Sequence, residues 1–271
     1  MRIMAILTIS REFGSGGRET GRGVVEEMGY EYLKREQFFK EVRAQGKHWE
    51  QWGKGLDEHS PSVWERHDWS FMGFAALTRS ILLDYAVKDN AVLMERGGNF
   101  LLKGVSHAFR IRIVAPLEVR LNRVMIRESV DYDTARWLIE RTDYERSQFI
   151  MALYGKDWSD AAEYDTVFDT GIQAVDEIVC SICETLRRRD ELKTDGVQRE
   201  LRLHTQAAKL EARLLTYPNF FVNTLEVSVE EGKLVLRGVV RDPKQKRRVE
   251  EIAAELSSDL PIKFNLHYRM G

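Results

Sequence analysis

Between the apolar run Ile3 to Ile9 and a stretch of helical periodicity lies Ser10-Arg11-Glu12-Phe13-Gly14-Ser15-Gly16-Gly17-Arg18-Glu19-Thr20. Glycines in such a turn let backbone N–H groups point at one spot, and a helix N-terminus beside them adds partial positive charge, which suits a phosphate group. The usual phosphate-loop spelling is G-x-x-x-x-G-K-[ST], whose lysine reaches the terminal phosphates and whose hydroxyl holds magnesium. Here Arg11 stands at the first glycine position and Gly17 at the lysine position. On the motif alone the segment is either a nucleotide phosphate loop or an ordinary strand-to-helix turn. In the first reading Gly14, Ser15, Gly16, Gly17, Arg18, Glu19 and Thr20 bind the nucleotide's phosphates. Arg18, one residue beyond the lysine position, is then the expected substitute cation, with a planar fork of donors in place of a point charge. Ser15 and Thr20 are the hydroxyls within reach of magnesium, without either being assigned as its ligand. Glu12 and Glu19 place negative charge where phosphate should sit, unless they approach it through a metal or pair with Arg11 and Arg18.

Phosphoryl transfer needs phosphates held in line and their developing charge neutralised, so arginine supply is the decisive inventory. Arg120, Arg123 and Arg127 recur at i, i+3, i+7 of one helical stretch, and Arg136, Arg141 and Arg146 follow on the next. They either pair with neighbours such as Glu118, Glu128 and Glu140 on the surface or converge on a phosphate. Trp49, Trp52, Trp64 and Trp69, four of the six tryptophans, lie in one polar segment. Their planes either stack on a base or anchor a local core.

These residues need a scaffold. The pattern predicts strand 3–9, helices 16–28, 34–44 and 70–88, strands 91–94 and 109–114, helices 116–129 and 131–152, strand 165–168 and helix 173–189. Strands alternating with helices imply a parallel sheet covered on both faces, a three-layer α/β domain. Ligands of such sheets bind beyond the carboxyl ends of the strands, where Ser10, Glu95 and Asp169 emerge. The charge-dense stretch 191–204 reads as a linker. Beyond it, helix 205–216, the alternating runs Leu225 to Val229 and Leu234 to Val240 about the turn Glu230-Glu231-Gly232-Lys233, helix 243–257 and strand 262–268 make a small α+β domain. The expected division is 1–190, a nucleotide-binding domain; 191–204, a linker; and 205–271, the C-terminal domain.

A chain of 271 residues with 43% hydrophobic and 31% charged residues is long enough for two globular domains. Its formal net charge of −2 gives no bulk attraction to nucleic acid or anionic membrane, so no nucleic-acid partner is expected. No apolar run approaches the ~20 residues of a transmembrane helix, and the apolar start lacks a cleavage-site pattern, so the expected location is cytoplasmic. Cys180 and Cys183 sit at i, i+3 in an apolar pattern and read as small buried helix residues, with no second Cys/His pair to complete a zinc site.

The segment Ile9 to Glu19 closely resembles the opening of the cytidylate kinase-like family, P-loop relatives of nucleoside monophosphate kinases in which a lysine-less loop is common. The likeness continues through Glu95-Arg96-Gly97-Gly98-Asn99, Ala115-Pro116-Leu117-Glu118-Val119-Arg120, Arg141-Thr142-Asp143-Tyr144-Glu145-Arg146, Tyr154-Gly155-Lys156-Asp157-Trp158, and Tyr164-Asp165 to Asp169-Thr170-Gly171. The resemblance implies a P-loop fold with a helical lid from about Arg127 to Arg146. In that lid Arg141 and Arg146 serve the transferring phosphoryl group and Asp143 orients them; Arg18 and Arg127 join them as catalytic candidates. It further implies that Arg96, with Arg35, binds the acceptor monophosphate. Two departures touch the acceptor side: Gly97 where the family usually carries aspartate after the arginine, and Lys34 in place of the acid of Asp-Arg-Glu. The second domain is similar to the BON domain in Val227-Ser228-Val229 and in Leu234 to Val240. That resemblance implies an interaction module whose partner is a protein or a membrane surface. The implied activity is transfer of the ATP γ-phosphate to CMP, dCMP or a related small-molecule acceptor, with ATP and Mg2+ as cofactors. The other reading is a catalytically altered nucleotide-binding regulatory protein.

Overall fold

The structure is a computed structural model and describes residues 5–46, 49, 52, 68–94, 96–222, 224–257 and 260–268. They divide into two compact units, one from residues up to 38 and 88–194, the other from the described residues of 39–87 and from 195 onward.

The first unit is a five-stranded parallel sheet of order β2-β3-β1-β4-β5: β1 (Ile6–Arg11), β2 (Glu31–Tyr32), β3 (Ala91–Met94), β4 (Ala108–Val114) and β5 (Thr166–Asp169). Leu7, Ile9, Val92, Ile111 and Ile113 are buried as near-continuous apolar runs, which is what a sheet covered on both faces demands. Each crossover is helical in part: α1 (Gly17–Met28) follows β1, α4 (Gly98–Leu101) follows β3, and α5 (Leu117–Glu128) and α6 (Tyr132–Tyr154) lie between β4 and β5. After β5 comes α7 (Val175–Asp190), whose Ile178, Ile182, Cys183 and Leu186 join the core beside Val24 of α1. Helices α5 and α6 pack on each other through Leu121, Val124, Ala135 and Ile139. Asp131 caps α6 by accepting from the Thr134 N–H at 2.8 Å, which holds its carboxyl below the ordinary aspartate range.

The expected elements of this unit are present with ends shifted by a few residues, the two-residue β2 and the single turn α4 being too short for periodicity to reveal. Cys180 corrects the cysteine reading. It is exposed, while Cys183 is buried and its thiol is pushed up to about 11 by burial, so the two do not form a buried pair.

The second unit holds α3 (Trp69–Val87), α8 (Asp195–Leu215), β6 (Thr224–Glu230), β7 (Lys233–Val240), α9 (Pro243–Ser257) and β8 (Ile262–Tyr268). Helix α2 (Arg35–Ala44) crosses from the first unit's stretch of sequence into the second's. Strand β7 is central, antiparallel to β6 and parallel to β8. The helix expected at 205–216 begins at Asp195, so residues 195–204 are helix where the charge density had suggested a linker. The reason lies in tertiary packing: α8 lies along α3, with Thr205 Oγ1 donating to the Leu83 carbonyl, Gln198 Nε2 to the Val87 carbonyl at 3.2 Å, and an ion pair between Lys209 and Asp84. The tryptophans that flank α3 are packing residues: Trp49 fills the space above Gly73, Trp52 meets Phe71 edge to face, and Trp69 meets Phe221. Trp64 lies outside the described residues.

The Arg79 guanidinium meets Glu211 at 2.7 Å between α3 and α8. Burial raises the Glu211 pKa and Arg79 opposes it. A carboxyl raised in the folded state contributes less to stability as pH climbs from its unfolded value through its folded one. Arg79→Ala, which leaves the buried carboxylate unpaired, should therefore destabilise the chain by about 3 kcal/mol at neutral pH. The deficit should shrink at acid pH, where Glu211 takes up a proton and no longer needs the guanidinium. Urea unfolding of the variant and the parent at both pH values measures this, and an equal deficit at both would mean that the charge of Glu211 is not what Arg79 offsets.

Candidate functional site

The loop after β1 turns on two left-handed glycines, Gly14 at φ 80° and Gly16 at φ 84°. Such φ values suit glycine, and at Gly14 a Cβ would also press Val124 Cγ2 at 2.9 Å. Gly16 caps α1 with no side-chain hydrogen bond, so the first N–H groups of the helix, at Gly17, Arg18 and Glu19, have no intrahelical acceptor. Ser15 is fully buried; its N–H donates to the Glu12 carbonyl and its own carbonyl accepts from Thr170 Oγ1 at 2.6 Å, while its Oγ has no hydrogen-bond partner among the described residues. Thr20 Oγ1 donates to the Gly16 carbonyl at 3.0 Å. Arg18 and Glu19 are exposed.

Glu12 does not pair with Arg11 in the way the sequence suggested. Its carboxylate accepts from Arg112 at 3.4 Å and from the Ala115 N–H at 3.3 Å, and meets Arg120 Nε at 3.5 Å. Arg112, buried in the middle of β4, stacks on the Trp158 ring at 4.2 Å and donates to the Trp158 carbonyl. Trp158 and Tyr164 both donate to Ser10 Oγ, at 2.7 and 3.1 Å. The negative charge beside the loop is thus absorbed by β4 and α5.

Helix α6 holds the loop backbone from the other side. Asp143 accepts the Phe13 N–H at 2.8 Å and takes Arg120 at 2.5 Å, and Arg146 donates to the Arg11 carbonyl at 2.8 Å. Asp143 therefore orients Arg146, at 3.8 Å, together with Arg120. It does not orient Arg141, whose partners are Glu145 at 2.7 Å and the Trp137 ring at 5.0 Å. Arg127 lies over the Phe13 ring at 4.7 Å and pairs with Glu128.

Arg123, which the sequence offered either to a surface acid or to a phosphate without assigning it a role, lies beside the loop. It donates to Thr170 Oγ1 at 2.7 Å and to the Thr170 carbonyl at 3.1 Å, and its Nη1 would stand 3.5 Å from a Cβ on Gly16, beside the cap of α1. Its i+3 spacing from Arg120 was the available signal. Arg112 carried none, because a single arginine inside an apolar strand has no motif, and Trp158 stood out only as the end of the stretch Tyr154 to Trp158 that resembles the family.

On the acceptor side, Arg96 adopts φ 56°, its guanidinium lies over Phe38 at 4.3 Å and its carbonyl accepts from Tyr154 Oη at 2.6 Å. A Cβ on Gly97 would fall 2.1 Å from the Tyr154 ring, so any side chain at 97 requires that ring to move. Arg35 begins α2 and is exposed. Glu95, expected at the end of β3, lies outside the described residues.

Among the described residues no group of three His, Cys, Asp or Glu side chains is placed to hold a metal. Of the loop hydroxyls, Thr20 Oγ1 is engaged with the Gly16 carbonyl and Ser15 Oγ has no hydrogen-bond partner among the described residues, and a magnesium ion carried by a nucleotide needs few protein oxygens besides phosphate and water. No helix among the described residues is long and apolar enough to cross a membrane.

The sequence profile of the cytidylate kinase-like family matches residues 6–172, and that of the BON domain matches residues 203–269. The chain belongs to the cytidylate kinase-like family. Cytidylate kinase from Methanopyrus kandleri is 29% identical over 181 residues, covering 65% of this chain and 89% of that one. Uronate isomerase from Corynebacterium glutamicum is 32% identical over 112 residues, 41% of this chain but only 21% of the isomerase. A crystal structure of an uncharacterized protein from Eubacterium ventriosum superposes with a TM-score of 0.53 at 20% identity, over 67% of this chain and 98% of that one, a likeness of fold alone.

In this family member Asp143 joins the loop to α5 and α6, and its removal leaves Arg120 and the Phe13 N–H without their acceptor. Asp143→Ala should cost about 3 kcal/mol of unfolding free energy. Asp143→Asn, which retains an acceptor, should cost less. Chemical denaturation of the two variants ranks them, and equal losses would deny the carboxylate this bridging role.

Proposed function

We propose that the protein is a nucleoside monophosphate kinase-like phosphotransferase that moves the γ-phosphate of ATP to CMP, dCMP or a closely related acceptor. The observation that carries this reading is the glycine-capped start of α1, free of a side-chain cap, with Arg123 beside Gly16 and Arg146 fixed above the Arg11 carbonyl. Backbone N–H groups of Gly14 to Thr20 would receive the phosphates, and magnesium would arrive on the nucleotide as part of the substrate, held chiefly by phosphate oxygens and water. Arg146, with Arg141 and Arg127 from the lid helices, would neutralise charge that develops as the phosphoryl group transfers. Closure of these helices excludes water and so disfavours hydrolysis. Arg96 and Arg35 would hold the acceptor's phosphate. The packing of Tyr154 on Gly97 supports an acceptor pocket of different shape from one lined by aspartate. The BON-like module would serve as an interaction surface.

Coupled ADP formation with a panel of nucleoside monophosphates tests the activity, and CMP or dCMP should give the highest kcat/KM. Arg146→Ala should lower kcat more than ATP affinity, because its contact strengthens in the transition state. Tight ATP binding without acceptor-dependent ADP formation would favour the regulatory reading.

A further inference from the structure

The ordinary phosphate loop carries glycine at its first position and lysine at its seventh. In this chain those positions hold Arg11 and Gly17, a cation and a glycine in exchanged places. The geometry shows that the exchange is reciprocal. A Cβ on Gly17 would stand 2.7 Å from Arg11 Cβ and 2.8 Å from Arg11 Cδ. The first of these is the root of the side chain, which no rotamer moves away. A side chain at 17 and a long side chain at 11 therefore exclude one another.

The same distances give the course of the Arg11 side chain. It leaves the end of β1 and runs across the first residue of α1, and the guanidinium nitrogens lie within three bonds of that Cδ. The backbone from which it starts is fixed on both sides: Arg11 pairs with Ile113 in the sheet, and its carbonyl accepts from Arg146. The adjacent Glu12 carboxylate, engaged by Arg112, Arg120 and the Ala115 N–H, has its charge met by other groups. Arg18 has a different direction. Successive helical residues point about 100° apart, so a helix that turns Gly17 toward Arg11 turns Arg18 away from it, in keeping with its exposure.

We propose that Arg11 is the phosphate-binding cation of this loop, reaching the nucleotide's phosphates from the loop's first position in place of the lysine that it excludes from position 17. Gly17 is bare so that the arginine's stem can pass. This assignment, which replaces Arg18 in that role, rests on the nucleotide-binding reading of the loop. An arginine rooted there offers phosphate a planar, multi-donor fork rather than a single ammonium.

The test uses the full chain and calorimetric titration with MgATP, with a melting curve for each variant. Arg11→Met keeps the stem that packs on Gly17 and removes the charge; it should melt like the parent and bind about tenfold or more weakly. Arg11→Lys should bind within a few-fold of the parent. Arg18→Ala should change affinity by less than about twofold, the scale of an exposed charge. Gly17→Lys alone should lower the melting temperature and the affinity together, whereas Arg11→Gly with Gly17→Lys, which restores the ordinary order, should recover both. Parent-like affinity in Arg11→Met, or parent-like melting and affinity in Gly17→Lys, would overturn the proposal while leaving the nucleotide reading in place. Failure of the parent chain itself to bind MgATP would overturn both.

Discussion

The Asp143 carboxylate is where three pieces of chain become one site. It accepts from the Phe13 N–H, takes the Arg120 guanidinium of α5, and stands one helical turn from Arg146, which itself donates to the Arg11 carbonyl. Charge-assisted hydrogen bonds of this kind are shorter and stronger than neutral ones, and a half-buried position spares them much of the screening that weakens a surface pair. The loop is consequently shaped from outside. Its glycines permit the turn, but α5 and α6 hold it in place.

Acids beside the loop would repel a phosphate ligand of the kind proposed, and the fold disperses that negative charge. Glu12 is drawn toward β4 and α5, where Arg112 and Arg120 meet it, while Arg112 is itself held against Trp158. Arg123 then occupies the side of the loop next to Gly16 through its hydrogen bonds to Thr170. Four elements that are distant in sequence, β1, β4, α5 and the turn after β5, thus set the local electrostatics of a short segment. Buried arginines can fill this role because each finds carbonyl, carboxylate or aromatic partners, without which burial of the charge would be prohibitive.

The second unit rests on a different principle. Helix α3 is buried over most of its surface, from Phe71 and Phe74 to Leu82 and Ala86, and a helix so apolar must be covered. The neighbour that covers part of it is α8, which arrives from the far side of the sequence and brings Arg79 and Glu211 together. The charged stretch before residue 205 is helical for this reason: a polar outer face and an apolar inner one, with Leu201, Ala208, Leu215 and the buried Thr205 on the inner side.

What could be read in the amino-acid order was what periodicity and short-range chemistry control. The alternation of strands and helices gave a covered parallel sheet, the glycine turn gave a helix start suited to phosphate, and the hairpin, helix and strand of the C-terminal module followed from alternation and from Asp242-Pro243. Those features depend on neighbours within a few residues. The tertiary structure alone decided the rest. It sent Glu12 to Arg112 and Arg120, left Arg141 with Glu145, brought Arg123 to the cap of α1, filled the space above Gly97 with Tyr154, and made the tryptophans part of a core. In each case the partner lies tens of residues away, and the register of packed helices and strands, which no local pattern encodes, determines which long side chains meet.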